Sequence, residues 1–346
     1  MSESFSIKRL EVIRVVTETP QAKTFIFQPL DNWQPEYKPG QFLTLVFYTK
    51  HGEKRRSYSI SSAPALGESL SITVKKVDNG EFSRLLISHC KPGDILFTSG
   101  INGLFLLPEK NDPGYQYFFI AAGSGITPCF SMIKTILANQ ENKIILIYSN
   151  RSEEETIFYD QLKRLEQEYA GRLTIQYFFS NIYDVNRSRL SSWRLQALLD
   201  TYLSVPANKA LFYLCGPFEY MRMLTITLRN RIPAQNIIKE NFSTLPHLVI
   251  PRPPDTDAHT VTIHINGLTH SLTVQYPQSI LATAKVNKIT LPYSCEAGRC
   301  GSCVARCSSG KIWMAYNEVL TDNELEKGLV LLCQSYPIDG DAVIEF

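Results

Sequence analysis

The sequence predicts a multidomain chain of three unlike units: an antiparallel β-barrel over 1–110, an α/β unit with a parallel sheet over 111–243, and an α+β unit over 259–346. Three observations lead there. At 346 residues the chain exceeds the roughly 100–200 residues of one domain. Short β-type runs fill the first hundred residues, and strand–helix alternation then replaces them. Finally, Ser243–Ala258 holds four prolines in sixteen residues, which marks 244–258 as an extended tether before a fresh start.

In the first unit, aromatic and β-branched runs recur at Leu10–Val16, Lys23–Phe27, Gln41–Tyr48, Arg56–Ile60, Ser69–Val77 and Asp94–Thr98. Lys38-Pro39-Gly40 and Lys91-Pro92-Gly93-Asp94 separate some of them. One helix, Phe82–His89, intervenes, and the spacing is that of a small barrel. The second unit opens with the apolar run Tyr117–Ala121, a glycine turn and a helix to about Ala138. Strands at Lys143–Tyr148, Leu173–Phe179 and Ala210–Leu214 alternate with helices at Glu155–Tyr169, Trp193–Tyr202 and Phe218–Asn230. Such alternation implies a parallel sheet covered on both faces. In the last unit Val261–Ile265 and Ser271–Gln275 flank Asn266-Gly267, a hairpin signal. A short helix at Ser279–Val286, a cysteine loop and a strand Ala342–Phe346 follow.

Hydrophobic residues make up 44% and charged residues 20%, with a formal net charge of +2. That composition is globular and carries no broad electrostatic footprint for nucleic acid. The opening MSESFSIKRLEVIRV has charges where a secretory signal needs an apolar core. The uncharged stretch Pro113–Ile133 contains Gly114, Gly123, Gly125 and Pro128, and so reads as strand, turn and helix rather than a membrane span. A cytoplasmic protein without membrane insertion is expected. Five of the eight cysteines fall after residue 294; clustered cysteines in such a chain point to metal binding.

The sharpest motif is Cys295-Glu-Ala-Gly-Arg-Cys300-Gly-Ser-Cys303, followed after 29 residues by Cys333. This C-x4-C-x2-C…C spacing is that of plant-type 2Fe–2S clusters. Four thiolates must converge on two irons, and Gly298 and Gly301 let the loop wrap tightly, with amides near the sulfurs. Structural zinc is the rival, but it usually takes two close cysteine pairs, and here the fourth cysteine stands alone. Cys307 falls outside the pattern and reads as a small packing residue.

On the fourth strand, Arg56-Ser57-Tyr58-Ser59 alternates faces, with Arg56 and Tyr58 on one side and Ser57 and Ser59 on the other. A flavin needs a cation at its pyrophosphate, an aromatic beside the ring and a hydroxyl near N5. Arg56, Tyr58 and Ser59 are of those types. Gly80-Glu81-Phe82-Ser83 opens a helix whose N-terminus suits a phosphate. Each motif alone also reads as an ordinary strand face or N-cap; their order inside one barrel strengthens both.

Gly123-Ser124-Gly125-Ile126-Thr127-Pro128 follows a strand and opens a helix, the setting for a nucleotide pyrophosphate. Pro128 stands where the usual fingerprint has its third glycine. Cys215-Gly216-Pro217 ends another strand on the same sheet edge, where the cysteine can pack against a nicotinamide ring or be simply buried. Arg151, after the strand Lys143–Tyr148, is a candidate for an adenosine 2′-phosphate, favouring NADPH slightly over NADH.

Taken in order, these motifs resemble the ferredoxin–NADP reductase superfamily, in its iron–sulfur flavoprotein branch with a C-terminal plant-type ferredoxin domain. Reductase components of multicomponent oxygenases share this arrangement. The resemblance implies a β-grasp fold for the last unit. It also implies FAD, rather than the FMN some relatives use, together with a 2Fe–2S cluster and NADPH or NADH. It assigns Arg56, Tyr58, Ser59, Gly80 and Ser83 to the flavin. It assigns Gly123, Gly125, Thr127, Pro128, Cys215, Gly216 and Pro217 to the nucleotide. Glu240-Asn241-Phe242 falls where the family ends its nucleotide domain, with Phe242 near the cofactor. Cys295, Cys300, Cys303 and Cys333 match the cluster ligands, and Ser59 and Cys215 the residues nearest hydride transfer. One departure is Gly100-Ile101-Asn102-Gly103, where the family often has Gly-Pro-x-Gly.

The implied activity is NAD(P)H-dependent electron transfer through FAD and the cluster to an oxygenase or desaturase. Two other readings stand beside it: a reductase for a diffusible acceptor or a hybrid-cluster protein, and a redox sensor. The intact hydride-side motifs weigh against the sensor.

Overall fold

The computed structural model describes residues 7–50, 52–110, 112–184, 188–242, 249 and 251–346. Of the expected tether, 244–248 and 250 lie outside the described residues.

The barrel is built from β1 (Lys8–Thr19), β2 (Ala22–Pro29), β3 (Phe42–Thr49), β4 (Gly52–Ser59), β5 (Ser71–Lys75) and β6 (Ile95–Asn102), with α1 (Glu81–His89) between β5 and β6. The strands pair antiparallel in the order β4-β3-β6-β1-β2-β5. A bridge between Ile60 and Ile72 brings the two ends together and closes the barrel. Alternation supplies the core: Leu10 and Val12 from β1, Phe25 and Phe27 from β2, Leu43 and Leu45 from β3.

The second unit holds β7 (Gln116–Ala122), α2 (Ile126–Asn139), β8 (Lys143–Asn150), α3 (Tyr159–Glu168), β9 (Leu173–Phe179), α4 (Ser192–Tyr202), β10 (Ala210–Cys215), α5 (Phe218–Arg229) and β11 (Ile237–Glu240). Its parallel sheet runs β11-β10-β7-β8-β9. Separate apolar cores on its two faces contain α2 and α3 on one side, α4 and α5 on the other. The third helix starts at Tyr159, not at Glu155 as the periodicity predicts. A turn closed by the Thr156 amide on the Glu153 carbonyl intervenes, and Phe158 takes a left-handed φ of 63°. That conformation lays its ring on Phe130, with centroids 4.1 Å apart.

The third unit contains β12 (His259–Ile265), β13 (Leu268–Val274), α6 (Ile280–Val286), β14 (Val304–Met314), α7 (Asp322–Glu326), β15 (Leu329–Leu331) and β16 (Ser335–Glu345). Its mixed sheet runs β13-β12-β16-β14-β15, with β12 and β16 parallel. Ser279 caps α6 by accepting from the Ala282 amide at 3.2 Å. This is the β-grasp arrangement, with the cysteine loop between α6 and β14. The barrel and the parallel sheet meet along α2: Ser131 Oγ donates to the Ser62 carbonyl at 2.6 Å, and Lys134 pairs with Glu68. Among the described residues no helix is long and apolar enough to cross a membrane.

Candidate active site and cluster loop

The two faces of β4 separate as period-2 geometry demands. On one, the Arg56 guanidinium lies 5.1 Å from the centre of the Phe82 ring, which itself stacks on Phe47. Phe82 belongs to the first turn of α1, so Arg56, Gly80 and Ser83 come together at that helix N-terminus. Ser83 Oγ accepts from the Val77 amide at 3.1 Å and donates to the Gly80 carbonyl at 3.2 Å, which shapes the turn. Tyr58 is half-buried on the same strand, and burial pushes its hydroxyl pKa up. The cation, the amide-rich helix start and the aromatic that a flavin pyrophosphate and ring require are therefore gathered by the fold.

On the other face, Ser57 and Ser59 line a small cavity. Ser59 Oγ donates to Glu240 Oε2 at 3.4 Å. Glu240 is buried, and desolvation pushes its carboxyl up to about 8, against a smaller opposing effect of the Ser59 bond. The sequence supplies Glu240 only as part of its three-residue segment; no local pattern marks the carboxyl. Its place follows from β10–β11 register, which sets it beside Cys215. Cys215 is fully buried, and burial with Glu240 nearby raises its thiol well above the ordinary range.

The nucleotide motifs converge at the carboxyl edge of the parallel sheet. Gly123, Gly125, Arg151, Gly216, Pro217 and Phe242 line one open cleft. A Cβ on Gly125 would lie 2.1 Å from the Cys215 carbonyl oxygen, so only glycine lets the two turns close on each other. Thr127 Oγ1 donates to the Ser124 carbonyl at 2.9 Å, and Pro128 sits in the first turn of α2, where its missing N–H is harmless. Tyr148 Oη holds the turn from below through the Gly123 carbonyl at 3.0 Å. The Arg151 side chain is 77% exposed, with Glu155 at 3.7 Å. Lys75, at the end of β5, also lines this cleft. It comes from the barrel, so no motif of the α/β unit announces it.

Cys295 and Cys300 line the same cavity as Ser57 and Ser59. The four expected cysteines lie in two neighbouring pairs, Cys295 with Cys300 and Cys303 with Cys333. Cys303 and Cys333 are buried. Two sulfur pairs suit two irons better than a single zinc. The Ala297 amide donates to Cys295 Sγ at 3.4 Å and the Ser302 amide to Cys300 Sγ at 3.5 Å. Gly298, with φ of 73°, supplies the tight approach: a Cβ there would meet the Tyr316 carbonyl at 2.7 Å. Cys307 is half-buried rather than fully packed, its Sγ 3.3 Å from the Ser309 carbonyl.

Comparison with known proteins agrees with this arrangement. Family models match an oxidoreductase FAD-binding domain at residues 10–106, an oxidoreductase NAD-binding domain at 119–225 and a 2Fe-2S iron-sulfur cluster binding domain at 263–337. The chain is 31% identical to the ferredoxin reductase component of 3-ketosteroid-9-alpha-monooxygenase from Mycobacterium tuberculosis, across 97% of this chain and 95% of that protein. It is 32% identical to a component of the 1,2-phenylacetyl-CoA epoxidase of Escherichia coli, across 97% of each. Among solved structures, phthalate dioxygenase reductase superposes with a TM-score of 0.62 at 23% identity, covering 99% of this chain and 98% of that one. The chain thus belongs to the ferredoxin–NADP reductase superfamily, in its iron–sulfur flavoprotein branch, and is an oxidoreductase that works with FAD, a nicotinamide nucleotide and a 2Fe–2S cluster.

Proposed function

We propose that this chain is the reductase component of an oxygenase or desaturase system, taking hydride from NAD(P)H and handing single electrons to a partner protein. The observation that carries it is the single cavity that Ser59 and Glu240 line together with Cys295 and Cys300. It joins a hydride site to a one-electron site. FAD, when bound, converts a two-electron donor into one-electron steps, and the cluster carries them singly. The relatives named above are components of oxygenase systems; no observation favours a diffusible acceptor or a sensor.

In this reading 1–110 binds FAD, 111–243 binds the nucleotide, 244–258 tethers, and 259–346 is the ferredoxin domain. Arg56, Gly80 and Ser83 hold the flavin phosphates, and Tyr58 flanks the ring. Gly123, Gly125, Thr127, Pro128, Gly216 and Pro217 cradle the nucleotide, with Lys75 adding a cation. Arg151 takes a 2′-phosphate, which makes NADPH the favoured donor. Cys215 and Phe242 pack at the nicotinamide side. Ser59, backed by a Glu240 carboxyl that stays protonated at neutral pH, holds a proton beside the hydride acceptor. Cys295 and Cys300 hold one iron, Cys303 and Cys333 the other. The location is cytoplasmic, which cell fractionation checks.

The experiment is an anaerobic absorbance titration with NADH and NADPH in parallel. Bleaching of flavin and iron–sulfur bands, faster with one nucleotide, is the expected result. Failure of both nucleotides to bleach the flavin overturns the reading.

A further inference from the structure

We propose that Glu318 is the positioning residue that docks the cluster loop for electron transfer from the flavin, by tying that loop to the end of the nucleotide-binding sheet. The inference rests on the flavin and cluster assignments above and names the contact that aligns them.

Glu318 follows β14 in the third unit. Its amide donates to the Gly298 carbonyl at 3.0 Å, inside the loop between Cys295 and Cys300. Its carboxylate faces two ways. Oε1 accepts from Arg299 Nε at 3.0 Å, and Arg299 precedes Cys300 directly. Oε2 accepts from Asn241 Nδ2 at 2.8 Å, a residue of the nucleotide unit 77 positions away in sequence. Lys239 on β11 also feels its charge. One residue thus grips the cluster loop by its backbone and the nucleotide unit by its side chain. Both ends of the ion pair are largely shielded, with side-chain exposures of 12% for Arg299 and 27% for Glu318, so screening by solvent is reduced.

The far side of the same cavity is held by the barrel. Ser57 Oγ and Ser294 Oγ are 2.6 Å apart, and the Arg55 guanidinium lies 4.0 Å from the centre of the Tyr293 ring. These contacts hinge the loop on one flank; Glu318 fixes the other. Asn241 and Phe242 line both the inner cavity and the nucleotide cleft, so the Glu318 contact sits where nucleotide occupancy and cluster position meet. The step it serves moves one electron from flavin that NAD(P)H has reduced to the oxidised cluster. The flavin loses that electron, one iron gains it, and no bond forms or breaks. Such a transfer weakens exponentially with separation, so a loosened seam slows it while leaving hydride transfer alone.

The test compares the parent protein, loaded with FAD and its cluster, with Glu318→Gln and Glu318→Ala. Stopped-flow absorbance follows the flavin, and freeze-quench EPR follows the reduced cluster. Expected are unchanged flavin bleaching and unchanged iron content, with cluster reduction slowed roughly tenfold in the alanine variant and less in glutamine, which keeps one acceptor. A readout independent of turnover is hydrogen exchange, which should quicken at 53–59 and 294–301 in the alanine variant. Parent-like cluster reduction with parent-like exchange at the seam overturns the proposal. So does loss of iron in the glutamine variant, which would reduce Glu318 to a brace for the loop. Failure of the parent's flavin to bleach at all strikes the proposed function instead, so the two failures separate.

Discussion

Replacing Glu240 by glutamine tests the buried carboxyl directly. Glutamine copies the size and hydrogen-bond capacity of a protonated glutamate and removes only the ionisation. The folded protein holds this proton up to about pH 8, against an ordinary 4.5. Between those values the unfolded chain has released the proton and the folded chain has not. Parent stability therefore falls with rising pH across that window relative to the variant, by at most about 1.4 kcal/mol per pH unit. Below pH 4.5 the two proteins match in this respect; above pH 8 the difference is constant, with a ceiling of roughly 5 kcal/mol. Urea titrations of the flavin-free protein at about pH 5, 7 and 9, read by circular dichroism, measure it. Glutamine should stabilise most at the alkaline end and least at the acid end. A parent–variant difference that does not change with pH would refute the argument that burial holds this proton.

The remaining expectations concern the cluster and nucleotide. Cys333→Ser should lower iron content and abolish the iron–sulfur shoulder while nucleotide still bleaches the flavin; an intact shoulder would remove Cys333 from the ligand set. Arg151→Ala should raise KM for NADPH about tenfold, the worth of one charge-assisted hydrogen bond to a phosphate, and leave KM for NADH unchanged; equal shifts would deny it a 2′-phosphate role. Gly125→Ala forces a Cβ onto the Cys215 carbonyl at 2.1 Å. It should cost about 1–3 kcal/mol of overpacking and weaken nucleotide binding, both seen by melting with and without NADPH.

Elements with strong local signals are legible in the sequence within a few residues. The six barrel strands fall within about four residues of the runs that predict them, and Asn266-Gly267 turns the β12–β13 hairpin with φ of 52° and 74° as its dipeptide predicts. The elements that escape have no such signal. β11 is four residues, Ile237–Glu240, too short to show a period. β14 is interrupted by Ser308, Ser309 and Gly310 and pairs with β16 through register shifts there. The cysteines are legible because their spacing is itself the chemistry. Glu240, Lys75 and Glu318 are not, because each acquires its surroundings from another unit: β4 of the barrel, the glycine turn of β7, and Asn241. Long-range placement of single charged residues leaves no periodic trace in the chain.

The pairing of the cysteines has a consequence for how the protein is served. Cys303 and Cys333 are buried, and Cys295 and Cys300 look into the cavity shared with Ser59. The side of the loop carrying Cys295 and Cys300 therefore faces the barrel and the nucleotide unit. A protein that docked on that side of the loop would have to displace the Ser57–Ser294 and Arg55–Tyr293 contacts with the barrel.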